Sequence, residues 1–216
     1  MDDACRGAGV HLAEAYMSPF HPVDRRVRAL VAGGALGEIL AGRAVFTFPH
    51  GDPADHRWGP GGGALLDVGI YCLEPLRAAL GDAEPASLAG AAIAGPGGVD
   101  ATFSGWLGYD DGRAATFTAG FDAAEEQRLE LIGNVGTLAV EGAFTAGDGP
   151  IELQLRRRDG HRERTVVEGA DPYLAMVEHF ARVVRLGEPP ARPVADSIAT
   201  LELIDRLRTA AGLPPG

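Results

Sequence analysis

The run Gly61-Gly62-Gly63-Ala64-Leu65-Leu66-Asp67-Val68-Gly69-Ile70-Tyr71-Cys72-Leu73-Glu74 is the most informative stretch of the chain. Three glycines ahead of a helix let another group approach the backbone and leave the first helical N–H groups free to face it. The pattern predicts a helix over residues 64–80, stopped by Gly81. Asp67 and Tyr71 are four apart and share one face of that helix. Leu66, Ile70 and Leu73 lie on another face, and Gly69 leaves room for a close neighbour. A carboxylate beside a phenol can orient a substrate and exchange a proton with it. The plainer reading is an acid in the first helical turn and a packed ring with its hydroxyl in solvent. Spacing alone favours that plainer reading.

Upstream, residues 2–8 read as the end of a short helix closed by Gly7 and Gly9, and residues 10–17 as a strand stopped by Pro19. Pro22 opens a helix in which Val23, Val27, Leu30 and Val31 recur at helical spacing, up to Gly33-Gly34. Residues 38–48 read as a strand, and residues 49–63 as a long Gly/Pro loop. Downstream, from Pro85 to about Glu168, the period changes to two. Phe103, Leu107 and Tyr109 share one parity, as do Phe117, Ala119 and Phe121, with turns at Asp111-Gly112, Gly133-Asn134 and Asp159-Gly160. This predicts an antiparallel meander of six or seven strands with one apolar face. Two helices close the chain. The first is capped by Asp171, with Tyr173, Met176, Val177, Phe180 and Val184 as its buried stripe. In the second, capped by Asp196, Ile198, Leu201, Ile204 and Leu207 face inward, and Glu202 pairs with Arg206. Strands followed by helices packed on one sheet face make an α+β architecture.

Composition sets limits. Against 30 acidic residues stand 19 basic ones, a net charge of −11 and a pI of about 4.9, which disfavours nucleic-acid binding. No apolar run is long enough for a membrane span, and the first residues carry no secretory pattern. Two cysteines, Cys5 and Cys72, make neither a disulfide framework nor a CxxC zinc site, so a reduced, cytoplasmic compartment is expected. All 19 basic residues are arginines, so no lysine Schiff base, P-loop lysine or lysine acid comes from this chain. His50, Asp52, Asp55 and His56 read as a polar lip of a cleft rather than a metal site. The arginines at 156, 157, 158, 162 and 164 read as a solvated hairpin tip. Trp58, ahead of the glycine run, is better placed than Trp106 to stack on a sugar ring, and Trp106 belongs to a sheet face. Cys72 reads as packing and His179 as structural.

Several segments occur together in a telling order: Glu14-Ala15-Tyr16-Met17, Phe20-His21-Pro22, the run 61–74, Gly98-Val99-Asp100, Asp111-Gly112, Leu131 to Leu138, and Tyr173 to Phe180. The chain thereby resembles the C-terminal part of the glucose-fructose oxidoreductase/inositol dehydrogenase/MocA (Gfo/Idh/MocA) family, nearest its D-xylose dehydrogenase and dihydrodiol dehydrogenase branch. The resemblance implies an open, mainly antiparallel sheet with helices on one face, preceded by the last helix and strand of a truncated Rossmann domain. Residues 1–18 would be that remnant and residues 19–216 the substrate and oligomerisation domain. It implies Tyr71 as proton donor or acceptor, with Asp67 in the same pocket. It further implies His21, Trp58, Gly62 and Gly63 toward substrate, Glu14 and Pro22 toward NAD or NADP, no metal, and a homo-oligomer through the free sheet face. The activity implied is NAD(P)-dependent oxidoreduction of a sugar, polyol or diol. Three departures stand out: no Gly-x-Gly-x-x-Gly, no Glu-Lys-Pro motif, and Pro19 where the family usually has Arg. They keep open a second reading, a non-catalytic oligomerisation or sugar-binding module that has lost the dinucleotide domain.

Overall fold

Alternation along the strands decides which side of the sheet is covered. In β3 (Asp100–Gly108), Ala101, Phe103 and Leu107 are fully buried, while Ser104 and Trp106 between them are exposed. In β4 (Ala114–Gly120), Ala115, Phe117 and Ala119 are buried, and Thr116 is exposed. Each large apolar side chain removed from water contributes on the order of 1.5–3 kcal/mol, so this parity fixes the register of the sheet. The computed structural model describes residues 1–52, 54–81, 83–145 and 147–214.

The remaining strands are β1 (Ile39–Pro49), β2 (Ser87–Ala94), β5 (Asp122–Gly133), β6 (Gly136–Glu141), β7 (Ile151–Arg157) and β8 (Arg162–Val167). Together they form one eight-stranded sheet in the order β2-β3-β4-β1-β5-β6-β7-β8. The expected uninterrupted meander needs correction. β1 is inserted between β4 and β5, with Ala44 opposite Phe117 in a parallel pair and opposite Leu129 in an antiparallel one. All other pairs are antiparallel. Periodicity tells which face a residue takes, not which strand lies beside it, so the insertion leaves no local trace.

The helices are α1 (Asp2–Ala8), α2 (Pro22–Ala32), α3 (Ile70–Ala79), α4 (Pro172–Leu186) and α5 (Val194–Ala210). α3 crosses β1, β4 and β5; α5 lies on β2 and beside α3; α2 reaches β8. The sheet is thus covered on one side, as the α+β reading expects.

Three local readings are corrected. Residues 10–17 form no strand; they run as an irregular segment into a short 3-10 turn at Ser18–Phe20, because no described strand offers them a ladder. On α4 the stripe of Tyr173, Val177, Phe180 and Val184 is exposed, Val177 by 61%, and Pro172 and Val183 are the buried residues instead. A helical period identifies an apolar face but not its partner, and α4 packs mainly on the 3-10 turn. On α5, Ile198 and Leu201 are exposed, while Leu203, Ile204 and Leu207 pack inward. Asp196 is not the cap, and Arg206 pairs with Glu84 at 2.8 Å rather than with Glu202.

Candidate active site

Two clefts, each of about 480 Å³, share one wall. Arg57, Asp67 and Tyr71 line both. The first cleft is completed by Glu14, Ala15, Tyr16 and the backbone of Gly61-Gly62. The second is completed by Phe46, Phe48, Gln127, Thr145 and Tyr173.

The wall depends on how the glycine run enters the helix. Leu65–Gly69 form a π-helical turn leading into α3, not the continuous α-helix that the spacing predicts. Such turns are often found at functional sites. Gly69 is buried; a Cβ there would press on Leu65 Cδ1 at 2.9 Å and stand in ordinary contact with the Ala119 Cβ of β4 at 3.6 Å. Gly63 has φ +104°, and a Cβ there would collide with the Asp100 carboxylate. That carboxylate, buried at the start of β3, accepts the N–H of Leu65 at 2.7 Å. The helix N-terminus is therefore already capped by an anion, and the expected free N–H groups are not all free.

Tyr71 is half-buried among aromatic rings. Tyr16 and Phe46 meet it edge-on, with centroids 5.1 Å and 5.5 Å away, and its hydroxyl donates to Met17 Sδ at 3.4 Å. Burial pushes its phenol up to about 12; the Tyr173 and Asp67 charges add to this and Arg57 opposes it. Asp67 accepts from Arg57 Nε at 2.8 Å. Arg57 reaches Asp55 with Nη1 at 3.2 Å and donates its own backbone N–H to the same carboxylate at 2.8 Å. The sequence reading did not single out Arg57. The available signal was a loop in which Asp55, and Asp67 ten residues on from Arg57, leave this arginine as the one side chain always cationic between them.

The expected site residues divide into two groups. Glu14 and Gly62 join Tyr71 and Asp67 along the first cleft. Glu14 is ion-paired with Arg192, which also grips the half-buried Glu74 at 2.5 Å and lies 5.2 Å from the centre of the Tyr16 ring. The others line neither cleft. His21 is buried; its Nδ1 accepts the N–H of Val23 at 3.2 Å, capping α2, and Nε2 lies 3.3 Å from the Gly147 carbonyl oxygen. Pro22 is the first residue of α2, its N1 position. Trp58 is buried rather than offered to a ligand: its indole N–H donates to the Asp52 carbonyl at 3.0 Å, and it packs edge-on against Phe121 at 5.2 Å. Gly63 serves the Asp100 cap. In the polar lip, Asp55 is shared by Arg57, by His56 Nδ1 at 3.0 Å and by His50 Nε2 at 3.6 Å. Among the described residues, no group of three or more His, Cys, Asp or Glu side chains is placed to hold a metal ion. Trp106 lies on the free sheet face, and Cys72 is buried, its thiol pushed up by burial. His179 Nε2 accepts the N–H of Ala191 at 2.9 Å, a structural bond.

Residues 25–139 match the family model of the GFO/IDH/MocA C-terminal domain, and the chain belongs to this family. D-xylose 1-dehydrogenase (NADP(+)) 2 of Haloferax volcanii is 33% identical over 97% of this chain and 65% of its own length. A dTDP-3,4-didehydro-2,6-dideoxy-alpha-D-glucose 3-reductase of Streptomyces violaceoruber is 34% identical over 98% of this chain and 65% of its own. Trans-1,2-dihydrobenzene-1,2-diol dehydrogenase of Mus musculus is 29% identical over 96% of this chain and 64% of its own. A solved 3-ketoreductase from Actinomadura kijaniata, in complex with NADP and TDP-benzene, superposes with a TM-score of 0.86 at 29% identity, over 97% of this chain and 65% of that one. The chain thus spans about 65% of the length of these relatives.

A dinucleotide needs a cradle for its pyrophosphate, usually a strand, a glycine turn and an open helix N-terminus. The glycine run at 61–63 does not fit that need, because the Asp100 carboxylate occupies the helix start where a phosphate would sit. No helix among the described residues is long and apolar enough to cross a membrane.

Proposed function

We propose that this chain is the substrate-binding part of an NAD(P)-dependent oxidoreductase acting on a sugar, polyol or diol, with Tyr71 exchanging the proton of the reacting hydroxyl. The observation that carries the reading is the shared wall: Tyr71 and Asp67 face both clefts side by side. The second cleft suits a sugar ring. Phe46 and Phe48 offer an apolar surface for its C–H face, and Gln127, Thr145 and Tyr173 offer partners for its hydroxyls. The names of the xylose dehydrogenase, the diol dehydrogenase and the ketoreductases support the same substrate class.

Converting a carbonyl to an alcohol requires a hydride at carbon and a proton at oxygen. The proton is this chain's contribution. A phenol pushed up to about 12 keeps its proton at neutral pH and can give it to an alkoxide, which is a stronger base. Asp67, held by Arg57, accepts a neighbouring substrate hydroxyl and orients the ring. The hydride would come from NAD or NADP, whose pyrophosphate the glycine run capped by Asp100 does not hold. Residues 1–18 form the edge of a dinucleotide unit, and residues 19–216 the substrate domain. The free face of the sheet joins copies into a homo-oligomer, and the compartment is the cytoplasm.

The test is a titration of the chain with aldoses, polyols and trans-diols while the Tyr71 ring signals are followed by NMR. The expected result is a saturable shift for one class, weakened by Asp67→Asn. Absence of a shift with every class refutes the sugar or diol reading. Tight NAD(P)H binding by this chain alone refutes the placement of the pyrophosphate outside it. The non-catalytic reading, favoured by the occupied helix start and the lack of lysine, predicts sugar binding without turnover even when a dinucleotide domain is supplied.

A further inference from the structure

In a chain without lysine, Arg57 is the arginine on the wall between the two clefts. Its guanidinium works as a fork. Nε donates to Asp67 at 2.8 Å, and Nη1 reaches Asp55 at 3.2 Å while the backbone N–H of the same residue binds Asp55 at 2.8 Å. Asp55 is itself fixed as the cap of the short 3-10 turn His56–Trp58, and Trp58 is buried beneath it. Asp67 lies in the π-turn, four residues before Tyr71, and Tyr71 is half-buried. A loose carboxylate there would swing between substrate hydroxyls and set an unbalanced negative charge beside the phenol. A planar fork that grips two carboxylates prevents both, which a single ammonium could not do.

We propose that Arg57 is a positioning residue for the Tyr71 proton relay: it fixes the Asp67 carboxylate in the wall and supplies the positive charge that offsets it beside the Tyr71 hydroxyl. This rests on the reading of Tyr71 as the relay, but the test follows the phenol itself and not turnover. The charged and titratable groups around Tyr71 come from several elements. They are Asp67 from the π-turn, Arg57 from the 3-10 turn, Tyr173 from α4, Tyr16 and Glu14 from the N-terminal segment, and Glu125 from β5. His56 faces the first cleft, and Glu74 farther along α3 is tied to Arg192.

Ionisation of Tyr71 is read on the full chain as tyrosinate absorbance near 295 nm, taken as the difference from Tyr71→Phe. With a value of about 12, about a quarter of Tyr71 is ionised at pH 11.5. In Arg57→Gln the tyrosinate fraction at that pH falls by about twofold or more, because Asp67 is left unbalanced. In Asp67→Asn it rises by a similar factor, because Arg57 is then unopposed. Arg57→Lys restores charge without the fork and gives an intermediate value. If Arg57 merely held the loop, its loss would open the cleft, hydrate the phenol and raise the tyrosinate fraction. That result overturns the proposal, as does an unchanged fraction in both Arg57→Gln and Asp67→Asn. Asp67→Asn keeps the test decisive should Arg57→Gln fail to fold.

Discussion

The carboxylate of Asp100 accepts the backbone N–H of Leu65 at 2.7 Å, joining the start of β3 to the first turn of the segment that carries Asp67 and Tyr71. Arg208 stands 3.7 Å from the second oxygen of Asp100, and Gly63 exists as glycine because any side chain there would strike that carboxylate. The wall of the site is thereby fixed to the sheet from outside the wall.

This joint predicts a coupled mutational pair. Asp100→Ala strands the Leu65 N–H and costs about 1–3 kcal/mol. Gly63→Ala is destabilised both by its positive φ and by the collision. Asp100→Ala removes part of that collision, so the double variant is more stable than the sum of the two losses implies. Urea unfolding of all four proteins measures this. Additivity within about 0.5 kcal/mol means the two residues are independent.

The same burial sets a pH dependence. Desolvation raises Asp100 above 3.8 and Glu74 above 4.5, against the pull of the N–H of Leu65 on the first and of Thr200 on the second. Asp24 is raised for the same reason. Between these ordinary values and the raised ones, the folded chain binds more protons than the unfolded chain. Stability contributed by these groups therefore grows as pH falls through that window and is lost as pH rises above it. Asp55 and Asp111 are lowered instead, mainly by accepting backbone N–H groups, so their opposing effect begins only as pH falls to 3.8 and below. The stability gained on lowering the pH from 7 toward the ordinary carboxylate range, read as urea midpoints, should be smaller in Asp100→Asn and Glu74→Gln than in the native sequence. Identical slopes in all three contradict this assignment.

The N-terminal segment has two regimes. α1 buries none of its residues, whereas Tyr16 and Met17 are buried and Glu14 is gripped by Arg192. Amide exchange should be fast across residues 2–13 and slow at Phe20 and His21, whose N–H groups bond Met17 and Ser18. Arg192→Ala should carry the fast regime through His21. Protection of residues 2–8 equal to that of β3 would overthrow this picture.

Much of the fold was legible because burial writes itself into period. The parity of Phe103 and Leu107, and of Leu129 and Leu131, gave the covered face correctly. The place of β1 between β4 and β5 was not legible, since strand pairing is a long-range choice with no local mark. The site was half legible. Asp67 and Tyr71 share a wall as their spacing implies, even though a π-turn replaces the α-turn between them. Trp58 and His21 hold structural places that residue type does not announce: the first packs in the core, and the second caps α2. Arg57 was missed because a charge in a polar loop looks solvated until its two carboxylate partners are seen.

The free sheet face carries Trp106, 39% exposed, with Ala89 and Thr116 in register on its two sides. In the homo-oligomer proposed above, copies would meet on this open face. Sedimentation should show a dimer or larger species, reduced to a monomer by Trp106→Glu. A 22.4 kDa species for the unaltered chain at tens of micromolar would rule this face out.

The most direct test of the central claim is NAD(P)-linked turnover of aldoses, polyols and trans-diols, followed at 340 nm. It should use the protein as its own cells produce it and compare the native sequence with Tyr71→Phe. The account predicts turnover for one substrate class and a loss of about 10²–10⁴-fold on removal of the single hydroxyl, with the urea midpoint nearly unchanged. Turnover that survives Tyr71→Phe, or none with any substrate in the native protein, would contradict it.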